Sequence, residues 1–279
     1  MTSDSFRSRA YFVCCDARTG SSLLAGVLRR TLVAGSPYEY FSAQEIDQPW
    51  MRNILQIPAR ERFNDHRAWR DAILRAGSNP GGIFGASLHW FQLPNAISTF
   101  RPESPADDPD DERPIDMLRA FFPELRLIRL SRQNIVAQAV SHYTAIKSGE
   151  WMRRVNRAKE LRAPTFEELR RRVPYDFAEI DWQVRSAQVA QEGWSKALEG
   201  HEAITIPLTY EEIDGDLASA TAKVLAHIGA DLGGRPTPAP ILERQATPWA
   251  RELERLYRFE RHARQLGWVG DEAALARSA

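Results

Sequence analysis

Cysteine is almost missing from this chain of 279 residues: Cys14 and Cys15 are the only two. Neighbours in a strand point to opposite faces, so the pair can build neither a disulfide staple nor a thiolate metal site. An excess of charge is missing too, since 37 Lys plus Arg stand against 37 Asp plus Glu. This excludes the basic surplus of a nucleic-acid binder, and any anion site has to be local. No apolar run reaches the length of a membrane span, and residues 1–9 lack the apolar centre of a secretory signal. The expectation is a cytoplasmic protein that is not integral to a membrane. The six His, at 66, 89, 142, 201, 227 and 262, offer no pair at metal-ligand spacing on a helix, so no metal is expected.

What is present describes a globular α/β protein. Hydrophobic residues make up 43% and charged residues 27%, and the length suffices for one large core. The reading is one domain over 1–279, with a tail at 1–9 and an acidic, Pro-rich loop at 101–114 that cannot bury apolar area.

The chain is organised around residues 10–31. Tyr11 to Cys15 is a short apolar run that reads as a buried strand, and it stops at Asp16-Ala-Arg-Thr-Gly-Ser-Ser22. From Ser21 onward Leu23, Leu24, Val27, Leu28 and Leu32 recur at helical spacing, with Ser21 or Ser22 as the N-cap candidate. Strand, polar loop and helix N-terminus form an anion-binding geometry, because the first helical N–H groups lack partners and the dipole is positive there. Gly20 allows close backbone approach, Thr19, Ser21 and Ser22 bring hydroxyls, and Arg18 brings a cation. A capped turn with no ligand is the plainer reading of the same residues. The loop is not a nucleotide-triphosphatase P-loop, because the Lys of G-x-x-x-x-G-K-[ST] falls on Ser21.

Downstream, Gly35-Ser-Pro37 is a turn that returns the chain toward the strand ends, where Glu39 stands among Tyr38, Tyr40 and Phe41. A carboxylate partly desolvated there suits a general base, while a surface residue or a salt-bridge partner is the commoner reading of a single Glu near aromatics. Residues 43–78 read as helical, with Ile46, Trp50, Ile54, Leu55, Phe63, Trp69, Ile73 and Leu74 as buried positions. A second strand is expected over Ile83–Trp90, carrying His89 and Trp90 at its end, and a third over Leu125–Ser131, with Arg132 just beyond it. Ile135, Val136, Ala139, Val140 and Tyr143 then mark the buried face of a helix that also carries Ser141.

In this order, Arg18-Thr-Gly-Ser-Ser-Leu-Leu24, Gly35-Ser-Pro-Tyr-Glu-Tyr-Phe41, Phe84-Gly-Ala-Ser-Leu-His-Trp90 and Leu130-Ser-Arg-Gln-Asn-Ile-Val-Ala-Gln-Ala-Val-Ser141 resemble the bacterial trehalose sulfotransferase family. So do Ile180-Asp-Trp182 through Trp194, Pro207-Leu-Thr-Tyr-Glu-Glu212, and Arg244-Gln-Ala246 before Trp249. The resemblance covers nearly the whole chain. It implies a P-loop-kinase-like parallel sheet flanked by helices and transfer of a sulfuryl group from 3′-phosphoadenosine 5′-phosphosulfate (PAPS) to a sugar hydroxyl, leaving adenosine 3′,5′-bisphosphate.

By this resemblance Arg18, Thr19, Gly20, Ser21 and Ser22 hold the phosphosulfate, and Arg132, Ser141 and Arg244 complete the donor site. Glu39 is the general base and Arg18 stabilises the departing charge. The acceptor is trehalose or another glucose-containing sugar or glycolipid, with Tyr40, Trp50, His89 and Trp90 nearest the ring. The resemblance admits a homodimer. Three departures stand out: Asp16-Ala17 replaces the usual Thr-Pro, Ser131 stands where a second Arg is common, and Ser87 where a Lys is frequent. A metal-dependent small-molecule kinase and a non-catalytic nucleotide-binding protein of the same fold are the rival readings.

Overall fold

The alternation in Arg9–Cys15 sets the architecture. In the computed structural model, which describes residues 9–46, 48–56, 65–101, 113–152, 164–242 and 247–268, Phe12 and Cys14 face one apolar core while Tyr11, Val13 and Cys15 face another. Both faces of the strand are covered, which is why it reads as a continuous apolar run.

In chain order the elements are β1 (Arg9–Cys15), α1 (Ser21–Thr31), α2 (Ala43–Ile46), α3 (Pro49–Leu55), α4 (His66–Gly77), β2 (Ile83–His89), α5 (Leu93–Phe100), α6 (Pro114–Phe121), β3 (Glu124–Ser131), α7 (Ile135–Ser148), α8 (Phe166–Arg172), α9 (Phe177–Ala197), β4 (Thr205–Thr209), α10 (Tyr210–Gly215), α11 (Leu217–His227) and α12 (Pro248–Gln265). The strands form one parallel sheet in the order β2-β1-β3-β4. The α/β fold with a parallel sheet flanked by helices is thus as expected.

The chain divides into two compact units, residues 1–133 with 189–241 and residues 134–188 with 242–279. The first contains the sheet and both of its cores. On one face Phe12, Phe84, Phe100 and Phe122 meet edge-on or stacked, with ring centroids 4.8 to 6.3 Å apart. Among the described residues, the named elements of the second unit are helices. The buried face of α7, with Val136, Ala139, Val140 and Tyr143, packs with Leu169, Ile180, Val184, Trp249, Leu253 and Tyr257. Asn134 caps α7 by accepting from the Ala137 N–H at 3.0 Å, and its amide donates to Glu254 on α12 at 2.9 Å.

Several local expectations need correction. The N-cap of α1 is Gly20, at φ 87° with no side-chain cap, and not Ser21 or Ser22. Leu32 lies beyond the helix, left-handed and 71% exposed, because α1 ends at Thr31. Among the described residues of 43–78 the helical reading is interrupted, giving α2, α3 and α4. Trp50 is 41% exposed and is no core residue, whereas Trp69, Ile73 and Leu74 are buried; Phe63 lies outside the described residues. β2 stops at His89, and Trp90 opens a short 3-10 turn.

Candidate active site

Three consecutive carbonyls at the end of β1 are taken by side-chain donors, and this fixes where the polar loop begins. Arg129 Nη1 donates to Cys14 O at 3.3 Å, Trp194 Nε1 to Cys15 O at 2.9 Å, and Thr19 Oγ1 to Asp16 O at 2.7 Å. The loop that follows is tightly wound. Arg18 has φ 65° and Gly20 φ 87°, left-handed backbone that costs little only at the glycine. No acidic residue lies in the first turn of α1. The N–H groups of Ser21, Ser22 and Leu23 have no carbonyl one turn earlier to donate to, and they keep the positive end of the helix dipole open.

Two cations converge on this loop. Arg132 Nη1 donates to Arg18 O at 3.2 Å, and the Arg132 guanidinium lies 4.3 Å over the Tyr210 ring. Gln191 Nε2 donates to Arg132 O at 3.2 Å. The same Tyr210 ring seats against Gly20: a Cβ added there would lie 3.0 Å from Tyr210 Cδ2. Burial, followed by repulsion from Arg132, brings the Arg18 guanidinium down to about 10. It remains cationic at neutral pH.

Glu39 is brought to the same strand ends by the segment before it. Gly35 is required at φ 70°, where a Cβ would lie 2.5 Å from Gly77 O and 2.6 Å from Ile83 O. The chain then runs along the edge of β2, with Tyr38 bridged to Ala86 and its carbonyl accepting from Ser87 N at 3.0 Å. Beyond that bridge Glu39 Oε1 lies 3.4 Å from His89 Nε2, and Glu39 Oε2 accepts from Gln92 Nε2 at 3.3 Å. Burial, opposed mainly by the charge of His89, holds the Asp16 carboxyl above its ordinary value. The thiol of Cys15 is pushed well up by burial and then by Glu39. The carboxylate therefore acts directly on the end of β1. Asp16 lies in the field of His89 and Arg129.

The structure separates the expected sugar-facing residues. Tyr40 belongs to the core: it is wholly buried, stacked 6.3 Å from Phe84, and its hydroxyl donates to Ser36 O at 2.7 Å. Trp50 lies against Tyr38 with ring centroids 5.7 Å apart. His89 is buried and turned to Glu39, which leaves little of its ring for an acceptor. Trp90 packs edge-on to Trp194 at 5.5 Å and, with Phe91, Leu93, Pro94, Ile97 and Arg101, lines a cleft of about 500 Å³. Ser141 lies on α7 in the second unit, and Arg244 lies outside the described residues.

Gln92 and Tyr210 were not visible as site residues from sequence. Gln92 closes a 3-10 turn with no periodic signal, whereas Tyr210 had one: it directly follows Thr209, the N-cap of the Thr209-x-x-Glu212 capping box at the end of β4. Among the described residues no group of three His, Cys, Asp or Glu is placed to hold a metal ion, and no helix is long and apolar enough to cross a membrane.

Comparison with known proteins agrees with the resemblance seen in the sequence. The model of the Stf0 sulphotransferase family matches residues 10–260. Trehalose 2-sulfotransferase of Mycolicibacterium smegmatis is 28% identical over 278 residues, covering 92% of this chain and 97% of that protein. Trehalose 2-sulfotransferase of Mycobacterium tuberculosis is 29% identical over 274 residues, covering 90% and 95%. Among solved structures, a sulfotransferase from Alicyclobacillus acidocaldarius aligns with a TM-score of 0.45 at 16% identity, over 89% of this chain and 95% of that one.

Proposed function

The chain belongs to the Stf0 sulphotransferase family, and on that premise we propose that it moves a sulfuryl group from PAPS to a hydroxyl of trehalose or another glucose-containing saccharide, free or lipid-linked. The acceptor is carried over from relatives named as trehalose 2-sulfotransferases. The donor rests on the fit of the loop to a phosphosulfate. An open helix N-terminus, a left-handed glycine and the two guanidinium groups of Arg18 and Arg132 suit a ligand with several anionic oxygens.

The observation that carries the reading is the position of Glu39 at the carboxyl ends of β1 and β2, beside the loop that begins at Asp16. Ligands of open α/β sheets lie at that end. In the proposed reaction Glu39 takes the proton of the acceptor hydroxyl as its oxygen bonds to sulfur. The bond from sulfur to the bridging oxygen breaks, and adenosine 3′,5′-bisphosphate leaves. Arg18 and the N–H groups of Gly20 to Ser22 neutralise the charge that gathers on the bridging oxygen. Arg132 recognises the 3′-phosphate. Ser141 and Arg244 are carried as further donor contacts, and a cytoplasmic homodimer as the working form.

Incubation with labelled PAPS and a panel of sugars tests this. Transfer to a glucosyl or N-acetylglucosaminyl hydroxyl is expected, with one adenosine 3′,5′-bisphosphate released per transfer. Transfer only to phenols or steroids would overturn the acceptor, and labelling from ATP with Mg²⁺ instead would overturn the donor.

A further inference from the structure

The carboxylate of Glu39 is gripped at both oxygens by two residues that flank the end of β2. Gln92 is wholly buried, and its side-chain amide is used twice: Oε1 accepts from the His89 N–H at 3.2 Å and Nε2 donates to Glu39 Oε2 at 3.3 Å. This fixes the orientation of the amide, because reversing it would set an N–H₂ against an N–H and a carbonyl against a carboxylate. On the other side His89 Nε2 is buried without a hydrogen-bond partner and lies 3.4 Å from Glu39 Oε1. A buried polar nitrogen left unpaired is costly, and the Glu39 carboxylate is the acceptor set beside it.

The grip is anchored in rigid structure. His89 is paired in register with Cys15 on the neighbouring strand β1, and the edge of its ring is covered by Phe91 at 5.6 Å. Besides Glu39, the carboxylates of Asp16, from the loop after β1, and Glu45, on α2, act on His89.

We propose that His89 and Gln92 are positioning residues, a two-point clamp that aims the Glu39 carboxylate at the acceptor hydroxyl. The inference rests on the reading of Glu39 as general base. It assigns His89 a role other than acceptor contact, and it gives Gln92 a role for which the sequence held no sign. A Glu side chain has three rotatable bonds, and a base displaced by about 1 Å costs on the order of a hundredfold in rate. The clamp removes that freedom without touching the acceptor.

The test uses the full chain, with kcat and KM measured separately for PAPS and trehalose. His89→Ala and Gln92→Leu are each expected to lower kcat by about tenfold or more, with KM for PAPS within about twofold. His89→Gln, whose amide can donate to Oε1, is expected to recover most of the loss. In a Glu39→Gln background, His89→Ala is expected to remove less than about twofold of the residual turnover, because its effect passes through Glu39. The clamp is refuted if His89→Ala costs the same factor in both backgrounds, or if His89→Gln keeps its melting temperature and stays as slow as His89→Ala. Should Glu39→Gln alone retain most turnover, the reading of Glu39 fails and the clamp with it, a result separable from the other two.

Discussion

Replacing Gly20 with Ala tests how the loop, Tyr210 and Arg132 are joined. Two penalties act together. A Cβ at φ 87° costs about 1–2 kcal/mol, the usual penalty of a left-handed L-residue. The new methyl would also lie 3.0 Å from Tyr210 Cδ2, so the ring must give way. That ring supports the Arg132 guanidinium 4.3 Å above it, a stacking contact of about 0.5–2 kcal/mol. Gly234→Ala is the matched control in the same unit, with φ 77° and nothing within 4 Å of its Cβ, so it pays only the backbone cost. Calorimetry should find both variants less stable, Gly20→Ala by more, at roughly 2–4 °C per kcal/mol for a chain of this size. Titration with adenosine 3′,5′-bisphosphate should show unchanged affinity for Gly234→Ala and a loss of about 2- to 30-fold for Gly20→Ala, the stacking energy expressed as binding. Equal melting temperatures together with equal affinities would refute the linkage of loop, ring and guanidinium.

Two other predictions concern charged groups near the loop. Arg132→Ala should weaken PAPS binding by about 1.5–3 kcal/mol, the worth of a hydrogen bond to a charged group, and hardly change binding of a donor analogue lacking the 3′-phosphate; titration with both ligands checks it, and equal losses would make Arg132 structural. Asp16 is held above its ordinary value by burial, so the folded state keeps its proton more tightly than the unfolded chain, whose Asp titrates near about 3.9. Its ionisation therefore lowers stability as pH rises from that value through the raised one. Asp16→Asn should raise the melting temperature at neutral pH and lose that advantage below about pH 3.9, which thermal melts across pH will show.

Legibility followed periodicity and turn chemistry. β1 and the polar loop were readable because a buried strand in a parallel sheet is apolar on both faces and ends abruptly at Asp16. The path to Glu39 was marked by Gly35 and Pro37, and the end of β2 by His89. The cap of α1 was misread because a left-handed glycine satisfies the loop where serine is statistically favoured. The core position of Tyr40 was not legible because alternate residues of one short segment go to opposite environments: Glu39 to the strand ends, Tyr40 to the core beside Phe84. Trp50 illustrates the converse, an aromatic at helical spacing that is left 41% exposed. Gln92 carried no signal, since its role depends on a backbone N–H and a carboxylate that only the fold brings together. The division into two units crosses helix α9 between Gln188 and Val189, where no Pro, Gly or change of composition marks it.

The central claim, that Glu39 takes the acceptor's proton in a sulfuryl transfer, is tested most directly by turnover of Glu39→Gln with labelled PAPS and trehalose. The substitution keeps size and most packing, and its carbonyl oxygen can still accept from Gln92 Nε2. Loss of a well-placed general base costs a factor of about 10²–10⁴, so turnover should fall at least about a hundredfold while PAPS binding and melting temperature stay close to those of the parent. A folded Glu39→Gln protein that binds PAPS and retains most of its turnover would contradict the account.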